Sequence, residues 1–293
     1  MEENPTLAPP PVPAPPSPSL ASNVWLRILS AAGLAAVSFA LAWAGVLPFA
    51  VLVLLIALVM SWEWSRVVRG EGIDLSLLVH GVSVFAAVAL AAFGFAALGV
   101  AVLIIGTIIV LALEFGAHPM LSSAGVLYAG LPAVALLWLR GNEPSGFHAV
   151  LFIVLVVAAT DTAAFAAGRL IGGPRLAPRI SPNKTWSGLL GGLAAAGLVA
   201  AAFAYAIQAP PIALAITGVL MGVIAQAGDL AESALKRAFD VKDVSQLLPG
   251  HGGFMDRMDG IVAVAVAVAL FALFLDPQAP AEALLAGMPG AGP

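Results

Sequence analysis

The residues of this chain that could do chemistry gather in two stretches. In the longer one, Asp229, Glu232, Ser233 and Lys236 are spaced 0, 3, 4 and 7, so they share one face of a helix. Arg237 lies beside that column of two carboxylates, a hydroxyl and an ammonium. The chain then runs through Lys242-Asp243 to Pro249-Gly250-His251-Gly252-Gly253. That proline-glycine cluster calls for turns with positive-φ positions and exposes backbone N–H groups suited to phosphate oxygens. Asp256 and Asp259 open the next helix at i, i+3, with Arg257 between them. The shorter stretch, Arg179-Ile180-Ser181-Pro182-Asn183-Lys184-Thr185-Trp186, leads into a helix N-terminus able to receive an anion. Asp161 lies deep in an apolar run just before it.

Hard oxygen ligands, adjacent cations and a glycine-rich turn together suit Mg²⁺ with a polyphosphate, because Mg²⁺ takes one or two carboxylates and completes its shell with phosphates and water. Zinc is disfavoured, since the chain has no cysteine and four scattered histidines. Plainer readings exist for each feature. The helical column could be a self-neutralising stripe, one aspartate at a helix start could be a cap, and Lys184 with Trp186 could be membrane anchors. Capping does not account for both Asp256 and Asp259. Glu63, three residues from Arg66, reads as half of a helical pair, and Glu114 as another structural contact.

These groups must be positioned by membrane helices. Of the 293 residues, 61% are hydrophobic and 10% charged, against about 25% charged in a soluble domain. The fold class is therefore an all-α polytopic membrane protein. A span takes about 20 mostly apolar residues. That ruler gives nine, near 28–47, 48–66, 76–96, 98–116, 122–140, 148–167, 186–208, 211–237 and 259–276. Pro48 marks the expected break between the first two, and no sheet is expected. Residues 1–22, with eight of the 22 prolines, read as a disordered tail. Residues 23–276 form the membrane domain, with its catalytic part at about 158–260, and 277–293 read as a loose C-terminal tail. Eleven of the twelve basic residues fall on the side of the N-terminus, and only Arg140 falls opposite. The positive-inside rule then puts the N-terminus and both reactive stretches in the cytoplasm, with the C-terminus outside.

Ser233, Lys236-Arg237, Lys242-Asp243, Pro249-Gly250-His251-Gly252-Gly253 and Asp256-Arg257-Met258-Asp259 resemble, in residue type and spacing across 27 residues, the signature of the phosphatidate cytidylyltransferases. Ile180 to Trp186 and Asp161-Thr162 resemble two further landmarks of that family. One departure is visible: the family usually carries Glu directly after the Thr-Trp pair, and this chain has Ser187.

The resemblance implies a bacterial inner-membrane enzyme that converts CTP and phosphatidate to CDP-diacylglycerol and pyrophosphate. It also implies a centre holding Mg²⁺ and a second cation such as K⁺, a homodimer, and no nucleic-acid partner. On that reading Asp229, Asp256 and Asp259 hold metal. Ser181, Lys184, Ser233, Lys236, Arg237, Lys242, Asp243 and Arg257 bind the phosphates of the substrates. His251 hydrogen-bonds a phosphate rather than acting as a base, and Asp161 and Glu232 orient the cations behind them. The rivals are an ion-coupled transporter, for which intramembrane carboxylates are also expected, and a related enzyme acting on another lipid acceptor.

Overall fold

A computed structural model describes residues 20–70, 72–114, 118–241, 244–245 and 253–287, with the backbone alone described for 20–31. Nine long helices stand where nine spans are expected: α1 (Leu20–Trp43), α2 (Val46–Arg69), α3 (Leu75–Ala92), α4 (Ala96–Leu113), α5 (Pro119–Arg140), α6 (Gly146–Leu170), α7 (Trp186–Ile207), α8 (Pro211–Ala238) and α9 (Met255–Leu275). Eight of them, α2 to α9, are long and apolar enough to cross a bilayer. The described part of α1, Ala32–Trp43, is apolar as well. Large apolar side chains such as Phe85, Ile108, Leu198 and Phe274 point outward all round the bundle, as a lipid-facing surface requires.

The sequence expectations need four corrections. First, α1 and α2 part at Gly45, whose φ of 126° only glycine adopts easily. Pro48 instead sits in the first turn of α2, where its missing N–H has no partner to lose. Second, a two-stranded hairpin exists. β1 (Arg175–Ala177) pairs antiparallel with β2 (Ser181–Thr185), with Arg175 opposite Thr185 and Ala177 opposite Ser181. Gly172 and Gly173, at φ 67° and 107°, end α6 and turn the chain into it. Pro182 is tolerated because β2 is an edge strand. Third, α9 starts at Met255, four residues before the span expected at 259–276, and Asp256 and Asp259 open it as their spacing indicates. Fourth, the tail expected to be loose folds in part as α10 (Pro280–Ala286). Ala281, Leu284 and Leu285 of α10, at i, i+3 and i+4, are buried, and the Ala281 N–H donates to Asn142 Oδ1 at 3.0 Å. Residues 1–19, expected to be disordered, lie outside the described residues.

Two large apolar cores and a smaller one form among the described residues. One joins α2, α3, α4 and α5 through Val53, Met60, Val84, Leu103, Val126 and Leu137. The other joins α6 to α9 and α10 through Phe152, Val156, Leu214, Met221, Val264 and Leu284. In the second core the helices meet through small residues, which is how membrane helices gain close packing. A Cβ on Gly192 of α7 would stand 2.9 Å from the Thr160 carbonyl of α6, and one on Gly228 of α8 would stand 2.8 Å from the Asp259 carbonyl of α9.

The two ends of the bundle differ. At one end Arg140, 3% exposed, donates from Nε to the Ala42 carbonyl at 2.7 Å and pairs with Glu143. The lone basic residue of this end therefore closes the C-terminal turn of α1 onto α5. Arg140→Met should leave that carbonyl without its donor, at a cost of about 1–3 kcal/mol. Thermal unfolding in detergent should show a lower midpoint, with kcat unchanged at low temperature.

Candidate active site

The other end of the bundle carries a cavity of about 590 Å³ between α6, the hairpin, α7, α8 and the start of α9. Asp161, Lys184, Asp229, Asp256, Arg257 and Asp259 all line it. So do Arg169, Arg175, Asn183 and Gln226, together with the apolar Phe165, Leu176 and Leu189. Both reactive stretches of the sequence thus meet in one place, with Asp161 as the inner neighbour.

Lys184 is the link between them. Its Nζ pairs with Asp229 Oδ2 at 2.6 Å and donates to Gln226 Oε1 at 3.3 Å. Gln226 in turn donates from Nε2 to Asp161 Oδ1 at 3.2 Å. Ser233 donates to the other oxygen of Asp229 at 3.4 Å. The hairpin is held for this task at its base. Thr185 caps α7, accepting from the Gly188 N–H at 3.1 Å. Ser187 Oγ donates to the Gly172 carbonyl at 2.5 Å and lies 3.0 Å from Thr185 Oγ1. The residue that departs from the family pattern is therefore a clasp between the end of α6 and the start of α7. At the tip of the hairpin, Arg237 donates to the Ile180 carbonyl at 3.4 Å and to Val241 O at 3.5 Å.

A second charge cluster sits beside the first. Lys236 is paired with Asp256 and lies 3.5 Å from Glu232. Asp256 also accepts from the Gly253 N–H at 3.2 Å. The single helical column expected from spacing therefore divides. Asp229 and Ser233 turn to the hairpin, while Glu232 and Lys236 turn to α9. Asp259 accepts from its neighbour, the Gly260 N–H, at 2.7 Å. The close approach at Gly228 sets the backbone of Asp259 beside that of Asp229, and the charges of Asp161, Asp229 and Asp259 act on one another.

Ser181, Ser233, Glu232, Lys236 and Arg237 are not in the cavity lining; Ser233, Glu232, Lys236 and Arg237 touch the site through the contacts above, and Ser181 pairs with Ala177 in the hairpin. Lys242, Asp243 and His251 lie outside the described residues. The expected turn at Gly253 needs correction. Its φ is not positive; what requires glycine there is space, because a Cβ would meet Glu63 Oε1 at 2.8 Å and Asp256 Oδ2 at 3.3 Å. The pairing expected for Glu63 is also different. It receives donors from the start of α9, while Arg66 lies over the Trp62 ring at 4.8 Å. Glu114 does make a structural ion pair, at 3.4 Å from Arg69. Sequence reading missed Gln226 altogether, although its spacing of three before Asp229 puts it on the same helical face.

Among the described residues, no three Asp, Glu or His side chains come close enough to hold a metal ion by themselves. The donor chemistry still suits Mg²⁺. Asp229 and Asp259 both offer carboxylate oxygens to the cavity, and this ion needs one or two from the protein when phosphates and water supply the rest.

Comparison with known proteins shows the family. Residues 25–275 match the family described as "Cytidylyltransferase family". The chain belongs to this family. It is similar to the phosphatidate cytidylyltransferase of Brucella suis biovar 1 (strain 1330), at 39% identity over 262 residues, covering 88% of this chain and 97% of the relative. It is similar to the phosphatidate cytidylyltransferase of Bacillus subtilis (strain 168) at 32% identity over 252 residues, covering 81% and 93%. The charged side chains of the cavity collect at one end of the bundle. A transporter would instead place them at breaks in midplane helices, and α6, α8 and α9, which carry the carboxylates, run unbroken.

The Lys184–Asp229 pair should be measurable directly. Lys184→Met and Asp229→Asn in a double-mutant cycle, read by thermal unfolding, should give a coupling of roughly 0.5–3 kcal/mol. Additive effects would show that the pair does not hold the hairpin.

Proposed function

We propose that this chain transfers the cytidylyl group of CTP to phosphatidate, giving CDP-diacylglycerol and pyrophosphate. The observation that carries this reading is one cavity with two kinds of lining. Lys184, Arg169, Arg175 and Arg257 line it together with Asp229, Asp256 and Asp259, and Phe165 and Leu189 add apolar surface. The outer surface of α6 beside it exposes Phe165, Leu170 and Ile171, so a lipid can arrive sideways from the bilayer while a nucleotide arrives from water. The relatives named phosphatidate cytidylyltransferase support the choice of substrates.

Phosphatidate brings its own nucleophile. A phosphate oxygen attacks the α-phosphorus of CTP, a new P–O bond forms, and the bond to the departing pyrophosphate breaks. No strong base is needed, so the work of the protein is positioning and charge neutralisation. In this reading Lys184, Arg169, Arg175 and Arg257 hold phosphate oxygens, and Lys242 and His251 add to them from the glycine-rich loop. Lys236 holds Asp256 in place. Arg237 and Ser181 hold the hairpin. Asp161 and Glu232 steady Lys184, through Gln226, and Lys236.

Asp229 and Asp259, with Asp256 beside them, would hold Mg²⁺. Bound there, the ion would neutralise the charge that develops on the pyrophosphate as it leaves. K⁺ is our candidate for a second cation. The positive-inside rule supports a cytoplasmic site in a bacterial inner membrane, and a homodimer is the assembly that the resemblance implies.

The test is incorporation of radiolabelled CTP into lipid by the purified protein in detergent. Product should form with phosphatidate, fail with EDTA and return with Mg²⁺. Asp256→Asn should reduce turnover by about 100-fold or more while the protein still inserts and folds. Near-normal incorporation by that variant would remove Asp256 from the site. No incorporation by the parent chain with phosphatidate would overturn the reading.

A further inference from the structure

No described residue of the N-terminal half lines the cavity, yet one of its carboxylates reaches the start of α9. Glu63 of α2 is fully buried. Its Oε1 accepts from Ser245 Oγ at 2.5 Å and from the Phe254 N–H at 3.0 Å. Its Oε2 accepts from the Met255 N–H at 2.6 Å. These donors bracket the glycine-rich loop, with Ser245 on its N-terminal side and Phe254 and Met255 on its C-terminal side. One side chain therefore ties both ends of that loop to α2.

We propose that Glu63 is a positioning residue for the nucleotidyl-transfer site, acting through the first turn of α9. The first N–H groups of a helix have no partner within it, and α9 has no side-chain cap from its own N-cap residue, Phe254. Glu63 takes two of these groups, and Asp256 takes the Gly253 N–H just before them. Gly253 is wedged between the two carboxylates: a Cβ on it would stand 2.8 Å from Glu63 Oε1 and 3.3 Å from Asp256 Oδ2. The rotation of this turn decides where Asp256 and Asp259 point, and Lys236 then takes Asp256. An apolar collar of Trp64, Val67, Val68, Val244 and Met255 surrounds the contact and keeps water from competing for it. A carboxylate buried merely to stabilise α2 would take partners within its own helix or its nearest neighbours. This one is committed to groups 182, 191 and 192 residues away in sequence.

The role of Glu63 rests on the reaction proposed above, but its test does not depend on it. The decisive variant is Glu63→Gln, which keeps the shape and turns one acceptor into a donor. Hydrogen exchange of the protein in nanodiscs, without substrate, should show faster exchange at residues 254–258 by about tenfold or more, with α2 and the core of α8 unchanged. Turnover of CTP with phosphatidate should fall by about tenfold or more. The Mg²⁺ concentration for half-maximal activity should rise, while KM for phosphatidate stays within about twofold. Glu63→Asp should recover part of both losses, and Gly253→Ala, which crowds Glu63 Oε1, should mimic Glu63→Gln. Unchanged exchange at 254–258 would overturn the proposal whatever the activity. So would a loss of turnover that tracks thermal stability across the variants, with no change in Mg²⁺ dependence. If the parent chain showed no cytidylyl transfer, the function would fall and the exchange result would still decide whether Glu63 sets the turn.

Discussion

A charge carried into a bilayer on a helix must find a partner, because water is not there to serve as one. In this chain that constraint falls hardest on α8. Asp229 is met by Lys184, which comes from the hairpin rather than from a helix. Glu232 is met by Lys236 on the same helix, which also takes Asp256 from α9. The hairpin must fold over the bundle end for the first pairing, and α8 and α9 must keep one register for the second. Gly228 permits that register by letting the Asp259 backbone lie against α8. Breaking a largely buried pair strands one charge, so hairpin, α8 and α9 are held as one unit.

The same pairings have a consequence for the proposed chemistry. Without substrate, Lys184 is paired with Asp229 and Lys236 with Asp256. A nucleoside triphosphate with its metal brings both signs of charge at once. In the proposed reaction Lys184 would pass to a phosphate oxygen as Asp229 turned to the cation, so neither member of that pair would be left alone. Such a site is preorganised, since its groups are already close to where the transition state needs them. It also explains why ion pairs are tolerated here, where a purely structural core would do as well with apolar residues.

The membrane spans, and the gathering of both charged stretches at one end of the bundle, were legible from composition and spacing, because the bilayer leaves the chain few choices. Helices of about 20 apolar residues must span, and carboxylates placed within them must serve a purpose. What stayed hidden was set by contacts distant in sequence. The column from Asp229 to Lys236 looked like one face, and a face is all that spacing can show. Its division between the hairpin and α9 follows from where Lys184 and Asp256 arrive. Glu63 looked like a partner for Arg66 because local pairs are the only ones visible in a sequence. Its true donors come from the far side of the chain. The hairpin was missed because two short strands, interrupted by Pro178 and Pro182, show no alternation of apolar and polar residues.

The two halves of the protein then divide the labour along physical lines. The second half brings the charged groups together through small residues that let helices close to contact distance. Close packing of that kind fixes where each helix axis lies, but it leaves rotation about the axis less determined, because alanines and glycines offer few side chains to interlock. The first half also meets through close glycines, such as Gly99 and Gly130, beside larger residues such as Met60, Leu103 and Leu137. A hydrogen-bonded contact from that half to the first turn of α9 supplies the rotational constraint that small-residue packing lacks. A carboxylate suits this purpose better than an apolar contact, since its hydrogen bonds to N–H groups are directional. Asp256 and Asp259 thus lie on a helix of the second half, while Glu63 of the first half holds the start of that helix.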